Sequence, residues 1–448
     1  MQDRNVLSLI RRITGAGLSF ITLAVAAPTF ADNSNDLVLV SLLSTSLAQP
    51  AISPREDDTL PLHEVRAAPQ PPSSIDLTTS PDNLWERIRH GFAMTNLNDE
   101  QTLYYQQWYQ NRPDALRRMV ERSRPYLYHI VEELKHRGMP TELALLPMVE
   151  SAFNPMAYSP AHAAGLWQFI PSTGKRFNLE QNWWKDERRD IVAATGAALE
   201  YLQIIYEMQG DWHLALASYN WGEGAVKRAV EKNDARGLGT DYGSLKMPNE
   251  TRNYVPKLQA LKNIFGNPKL LAELGIPEVL NKPYFATVDT TQPIDVKIAA
   301  RLAEMPISEF KALNPSHNRP VIMADSAVVI PEDKLQTFKN NLKKYTAPLT
   351  QWQAYTIKAG EKINKVAARF GITLADLYEA NGLRPKVSVM QGSAILVPAG
   401  FGAIDLASLE NMAEPRIIEP KRAKTIRSKP AKYVHRGQAR RVVKSSRK

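Results

Sequence analysis

One acid in this sequence stands apart from any counter-charge. In L-P-M-V-E-S-A-F-N-P, Glu150 closes an apolar run, and aromatics, amides and glycines follow it as far as Gly174, with no further Asp or Glu before Glu180. Helical spacing from about Glu142 sets Leu143 and Leu146, seven and four residues earlier, on the face that carries Glu150. The carboxyl therefore projects from the side that packs. Desolvation disfavours its ionised form, and a rise of roughly two pKa units corresponds to ~2.7 kcal/mol. Such a group keeps its proton near neutral pH and can give it to a leaving oxygen. A glycosidic oxygen is a natural recipient, yet bond cleavage there usually needs a second carboxylate. With none nearby in sequence, the substrate would have to supply the nucleophile, unless a distant acid such as Asp186, Glu187 or Asp190 folds into place for hydrolysis. A helix-end acid without catalytic duty is the other reading of Glu150 alone.

The elements that must position this acid are mostly helical. From Asn83 onward apolar residues recur at helical spacing, as in Leu84, Ile88 and Phe92, with breaks at Pro113, Gly138 and Pro140. Further helices are expected from Ile191 to Gln209, from Trp212 to Glu231 and from Glu250 to Ile264. Strand-like alternation is nearly absent up to Phe265.

After Leu280 an internal repeat begins. A-A-R-L-A-E-M-P-I-S-E-F-K-A-L-N at 299–314 matches A-A-R-F-G-I-T-L-A-D-L-Y-E-A-N at 367–381 with one gap, and A-V-V-I-P at 327–331 matches A-I-L-V-P at 394–398. Each copy reads as strand, two short helices and a closing strand, a small α+β unit. The expectation is a multidomain chain. An export signal occupies 1–31 and a Pro/Ser-rich tether 32–82; a mainly α catalytic domain follows at 83–280. Two βααβ modules at 285–345 and 353–399 precede a basic, unfolded tail at 415–448.

Composition bounds the class. At 448 residues and 44% hydrophobic content there is room for several units. Arg4, Arg11 and Arg12 precede an uncharged stretch ending in small residues at Thr29 and Ala31, a signal-peptide pattern with cleavage expected after Ala31 and an uncleaved anchor as the alternative. The expected location is the periplasm or cell envelope. The chain has no cysteine, which excludes disulfides, thiolate metal sites and a lipid-modified cysteine. From Pro415 to Lys448 thirteen Lys and Arg face one acid, a net +12, so the other 414 residues carry −2 of the overall +10. That tail fits attraction to anionic envelope polymers; nucleic acid conflicts with export.

Four ordered stretches carry a resemblance: E-S-A-F-N-P, then S-P-A-H-A-A-G-L-W-Q-F-I-P-S-T-G, then A-S-Y-N-W-G-E-G-A-V, and finally E-T-R-N-Y-V-P-K-L-Q-A-L. Together they resemble the lytic transglycosylase family, with its goose-type-lysozyme-like α fold, and most closely the membrane-bound lytic murein transglycosylase D group. The resemblance implies that Glu150 is the catalytic acid and base. It further implies that Ser159 hydrogen-bonds near the acid, that Gln168 and Asn220 are sugar-binding amides, and that Tyr254 brings its hydroxyl to the reacting centre. Trp167 stands where many relatives carry methionine, and reads either as a groove wall or as core. The alternatives are a turn role for Ser159 and Asn220, a surface glutamine for Gln168 and core packing for Tyr254. Phe153, Asn154 and Pro155 shape a turn. The segment Tyr355–Pro398 resembles a LysM module, binding N-acetylglucosamine-containing chains, although Lys362, Ile363 and Asn364 depart from the usual pattern. The copy from Phe285 is a degenerate LysM-like unit. The implied partner is peptidoglycan and the implied activity is non-hydrolytic cleavage of its glycan, with no cofactor and no metal.

Overall fold

The computed structural model describes residues 81–400 and 404–419. The expected export signal, the tether as far as residue 80 and the tail beyond residue 419 lie outside the described residues.

The first unit is built from helices started by short polar side chains. Asn83 caps α1 (Leu84–His90) and Asp99 caps α2 (Glu100–Gln110), each side-chain oxygen accepting from a backbone N–H of the first turn. Pro113 begins α3 (Pro113–Ser123), and α4 (Leu127–His136) follows. Next come α5 (Leu146–Ser151), α6 (Pro171–Arg176), and α7 (Ile191–Gln209), which Asp190 caps. The unit closes with α8 (Trp212–Trp221), α9 (Glu223–Asp234), α10 (Asn249–Phe265) and α11 (Pro268–Glu273). One apolar core runs through them, including the fully enclosed Trp85, Leu116, Ile130, Leu199 and Phe265. The unit's two ends meet: Leu84 N–H donates to Val279 O at 2.7 Å and Asn83 bridges Leu280.

Two expected helices differ from the outcome. The single helix from Trp212 to Glu231 is two, because Gly222 sits at φ 93° and turns the chain between them. The helix expected from Glu142 starts as a 3₁₀ turn over Thr141–Leu145 and becomes α-helical only at Leu146. Pro147 has no N–H to give Leu143 O, so that α-helical bond is missing where the 3₁₀ turn hands over to the helix.

Beyond α11 the repeat is visible in hydrogen bonds. In the first module β1 (Phe285–Asp289) precedes β2 (Ile294–Asp295), α12 (Val296–Leu302) and α13 (Ile307–Leu313). Then come β3 (Val321–Ile322), β4 (Ala327–Pro331), antiparallel to β1, and α14 (Leu335–Lys344). In the second, β5 (Trp352–Thr356), α15 (Ile363–Arg369), α16 (Leu374–Ala380), β6 (Ser388–Val389) and β7 (Ala394–Pro398) recur in the same order, β5 antiparallel to β7. Asn314 and Asn381 do one job twice. Asn314 Nδ2 donates to Phe310 O and Val329 O while its Oδ1 accepts from Val329 N–H at 2.7 Å; Asn381 repeats this with Leu377 O, Leu396 O and Leu396 N–H, also at 2.7 Å.

The start of the expected unfolded tail is ordered. After α17 (Leu406–Glu410), β8 (Ile417–Ile418) pairs with β6, Met390 N–H donates to Arg416 O, and Glu419 pairs with Arg384. Two adjacent isoleucines supply a strand that the surrounding charge obscured in the composition.

The segment 181–190 joins all three units. Asp186 N–H donates to Ser316 O and Asn318 N–H to Trp184 O, each at 2.8 Å, fastening the first module. Trp183 Nε1 donates to Asn381 O at 3.3 Å and Trp184 Nε1 to Met412 O at 3.2 Å, fastening the second. The two indoles pack with Val321, Leu396, Leu409 and Met412 in a separate apolar cluster.

Candidate active site

Glu150 lies in the last turn of α5, whose other residues are buried. The helix stops abruptly: Ala152 and Phe153 both take left-handed conformations, at φ 51° and 56°, which non-glycine residues adopt only when surroundings enforce it. The enforcing contacts are Phe153 N–H to Pro147 O at 3.0 Å and Arg122 Nε to Ala152 O at 2.9 Å. Ser151 Oγ donates to Leu166 O at 3.0 Å, tying the acid's helix to the G-L-W-Q loop.

That loop is braced from below by a buried cation. Arg188 donates to His162 O at 2.6 Å and Phe169 O at 3.1 Å while pairing with both oxygens of Asp186. Gly165, at φ 80°, passes so close that an added Cβ would lie 2.1 Å from Arg188 O. Only glycine meets both demands.

Glu150 is half-buried, enclosed enough to lose hydration yet still open to a substrate. Its pKa is raised to about 7: burial is the largest cause and nearby Glu250 adds to it, while a hydrogen bond from Tyr254 and the charge of Lys257 oppose the rise. Tyr254 OH donates to Glu150 Oε1. The tyrosine is held by an unusual stretch of α10, where Pro256 cannot donate to Arg252 O. Tyr242 OH takes over, donating to Arg252 O and Thr251 O, both at 2.9 Å.

The sequence-predicted residues divide by location. Glu150 and Tyr254 are in direct contact. Asn220, at the end of α8, accepts from Thr251 Oγ1 at 2.8 Å through Oδ1, which leaves its amide N–H groups to donate elsewhere. Gln168 has a left-handed backbone and its Nε2 donates to Gly165 O at 2.8 Å, so its amide is tied into the loop. Ser159 Oγ accepts from Ala163 N–H at 3.0 Å and closes the turn over residues 159–163, which contains Pro160. Trp167 is enclosed, its Nε1 donating to Thr195 Oγ1 at 3.0 Å; of the two roles open to it, core packing is the one observed, and it is not a groove wall.

Three further residues escaped the sequence reading. Tyr219 donates to Trp167 O at 2.8 Å, and burial together with the Glu150 charge raises its pKa far above the ordinary value. Glu250 and Lys257 share one face of α10 with Tyr254 at i, i+4 and i+7, a spacing that would have revealed them. Burial lowers the Lys257 pKa, opposed by Glu250 and Glu150, and its Nζ lies 5.4 Å from the centre of the Tyr105 ring.

The acids considered for a second catalytic carboxylate are occupied. Asp186 pairs with Arg188, Glu187 with Lys185, and Asp190 caps α7. Glu142 is deeply buried, accepting from Ala93 and Met94 N–H and from Lys262.

Comparison with known proteins agrees with this architecture. The Transglycosylase SLT domain model matches residues 128–239, that of the Lytic transglycosylase MltD, LysM-like domain matches 284–347, and that of the LysM domain matches 355–398. The class is therefore a helical SLT catalytic domain followed by LysM-type modules. The chain is 35% identical over 345 residues to "Membrane-bound lytic murein transglycosylase D" of Escherichia coli (strain K12), covering 73% of this chain and 76% of that protein, with the same figures for the protein of strain CFT073. It is 31% identical over 126 residues to "Membrane-bound lytic murein transglycosylase C" of Glaesserella parasuis, covering 25% of this chain and 35% of that one. The chain belongs to the membrane-bound lytic murein transglycosylase D family. Among the described residues no helix is long and apolar enough to cross a membrane.

Proposed function

We propose that this chain is a peptidoglycan lytic transglycosylase, cleaving the β-1,4 bond between N-acetylmuramic acid and N-acetylglucosamine without water. The observation that carries the reading is the half-buried Glu150, its pKa raised to about 7 and its carboxylate accepting from the hydroxyl of Tyr254. Protonated Glu150 gives its proton to the linking oxygen as the C1–O bond breaks. The substrate's own acetamido oxygen stabilises the charge developing at C1. Ionised Glu150 then takes the proton of the muramic C6 hydroxyl as that oxygen bonds to C1, closing a 1,6-anhydro ring. One acid suffices because the two proton transfers are consecutive, and the C6 hydroxyl, already on the same sugar, acts at high effective concentration.

Around this centre Tyr254 orients the carboxylate, Asn220 offers its amide N–H groups to the N-acetyl carbonyl, Gln168 offers its amide oxygen to a sugar hydroxyl, and Ser159 retains a hydroxyl proton to donate. The second module, 353–399, holds N-acetylglucosamine chains and keeps the enzyme on its polymer. The amino-terminal segment directs export to the periplasm, and the basic tail associates with anionic envelope polymers.

Mass spectrometry of fragments released from purified sacculi tests the reading. Anhydro-muramic ends, lighter by one water than hydrolytic ends, are expected. Reducing muramic ends alone would replace it with hydrolysis.

A further inference from the structure

Where the three units meet there is a cavity of about 500 Å³, and none of the residues assigned to the reaction lines it. Its walls are charged. Arg189 enters from the catalytic domain and Lys297, Lys311 and Arg319 from the first module. Asp376 and Glu379, three apart on α16 and so on neighbouring positions of one face, enter from the second module beside Trp352.

Neither arginine touches a carboxylate, although Asp186 lies near Arg189 and Glu414 near Arg319. Among the described residues neither forms an ion pair, and the Nε of each, with Nε2 of His317 on the same wall, is buried without a hydrogen-bond partner. A guanidinium partly desolvated in this way is costly, and since both residues stay partly exposed, a bound carboxylate can offset the cost by charge-assisted bonds to their other N–H groups. Arg319 is also fixed in place: it lies 4.6 Å from the centre of the Trp183 ring, donates to Asn318 O at 3.1 Å, and is so tightly seated that a Cβ on Gly382 would stand 2.3 Å from it. Burial lowers its pKa to about 10, which still leaves it charged. Across the cavity the carboxylates of Asp376 and Glu379 suit an ammonium group. Asp295, the remaining acid there, already accepts from Thr350 Oγ1 and Gln351 N–H.

We infer that this junction cavity binds the peptide stem of the wall polymer, a short peptide bearing carboxylates and an amine. The inference rests on the proposed peptidoglycan substrate. Bare glycan carries only the lactyl carboxylates of its muramic residues and has no amine, and inorganic anions likewise supply only one of the two charges. The cavity is near the candidate active site: Met156, among its lining residues, is six residues from Glu150, so the two Cα atoms are at most about 22 Å apart.

The experiment is calorimetric titration of the full chain with synthetic L-Ala-γ-D-Glu-meso-diaminopimelate, with N-acetyl-trialanine amide as the uncharged probe. Saturable binding of the charged tripeptide only is expected, weakened at least tenfold in Arg319→Gln and in Lys297→Gln/Lys311→Gln. Both lysines are exposed, so the double variant decides the matter if Arg319→Gln lowers the melting temperature. Absence of saturable binding, equal binding of the uncharged probe, or unchanged affinity in the lysine variant would overturn the inference. Since the probe has no sugar, this outcome is independent of the anhydro-product assay.

Discussion

Tyr254 and Glu150, 104 residues apart in sequence, share a hydrogen bond in which the phenol donates to the carboxylate. The bond favours the ionised acid, whereas burial favours the protonated one. Their balance leaves the group near pH 7, where a carboxyl can both give and take a proton.

Removing the phenol tips that balance. Tyr254→Phe is expected to raise the Glu150 pKa above its present value of about 7, move the alkaline limb of the pH–rate profile upward, and lower kcat about tenfold or more, equivalent to ~1.4 kcal/mol. A limb that stays in place or moves down counts against the assignment.

Stability and activity should oppose each other at Glu150. Its folded-state pKa is raised from 4.5 to about 7, so the folded protein binds the proton more tightly than the unfolded chain. Stability is then lost as pH climbs from about 4.5 to about 7 and levels off above that, a total of roughly 3 kcal/mol. Glu150→Gln removes the ionisation. It should abolish sacculus digestion, match the parent in urea melts near pH 4, and exceed it by up to that amount at pH 8.

Gly165→Ala should loosen the loop that carries Gln168. Its φ of 80° and the 2.1 Å approach to Arg188 O leave no place for a methyl group. A loss of about 2–4 kcal/mol is expected, accompanied by faster amide exchange across residues 162–169. Wild-type exchange there would disprove the bracing role.

The paired asparagines give a test of modularity. Asn314→Ala and Asn381→Ala each remove the link between α13 and β4, or between α16 and β7. Each should cost about 2–4 kcal/mol within its own module, since buried partners are left unsatisfied. Protection lost in both modules after either single change would show that they fold as one.

Much of this was legible beforehand because it rests on local rules. Helix α7 runs from Ile191 to Gln209 as its apolar spacing and Asp190 cap require. The repeat was readable because both copies keep the same asparagine and closing proline. The misreadings share a different cause. Gly222 interrupts a continuous helical pattern through its backbone alone, and Trp167 looked equally suited to wall or core until Thr195 accepted its N–H. Likewise, no spacing rule reveals that Arg188 holds up residues 162–169 from beneath, because that contact is made only after the loop has folded back.

Trp183 and Trp184 come from the catalytic domain, yet their N–H groups end on carbonyls around the second module. The second module is thereby fastened to the catalytic domain rather than strung from it. A glycan bound there, as proposed, would be severed a set number of sugars from the hold, and released fragments would carry that length as a signature.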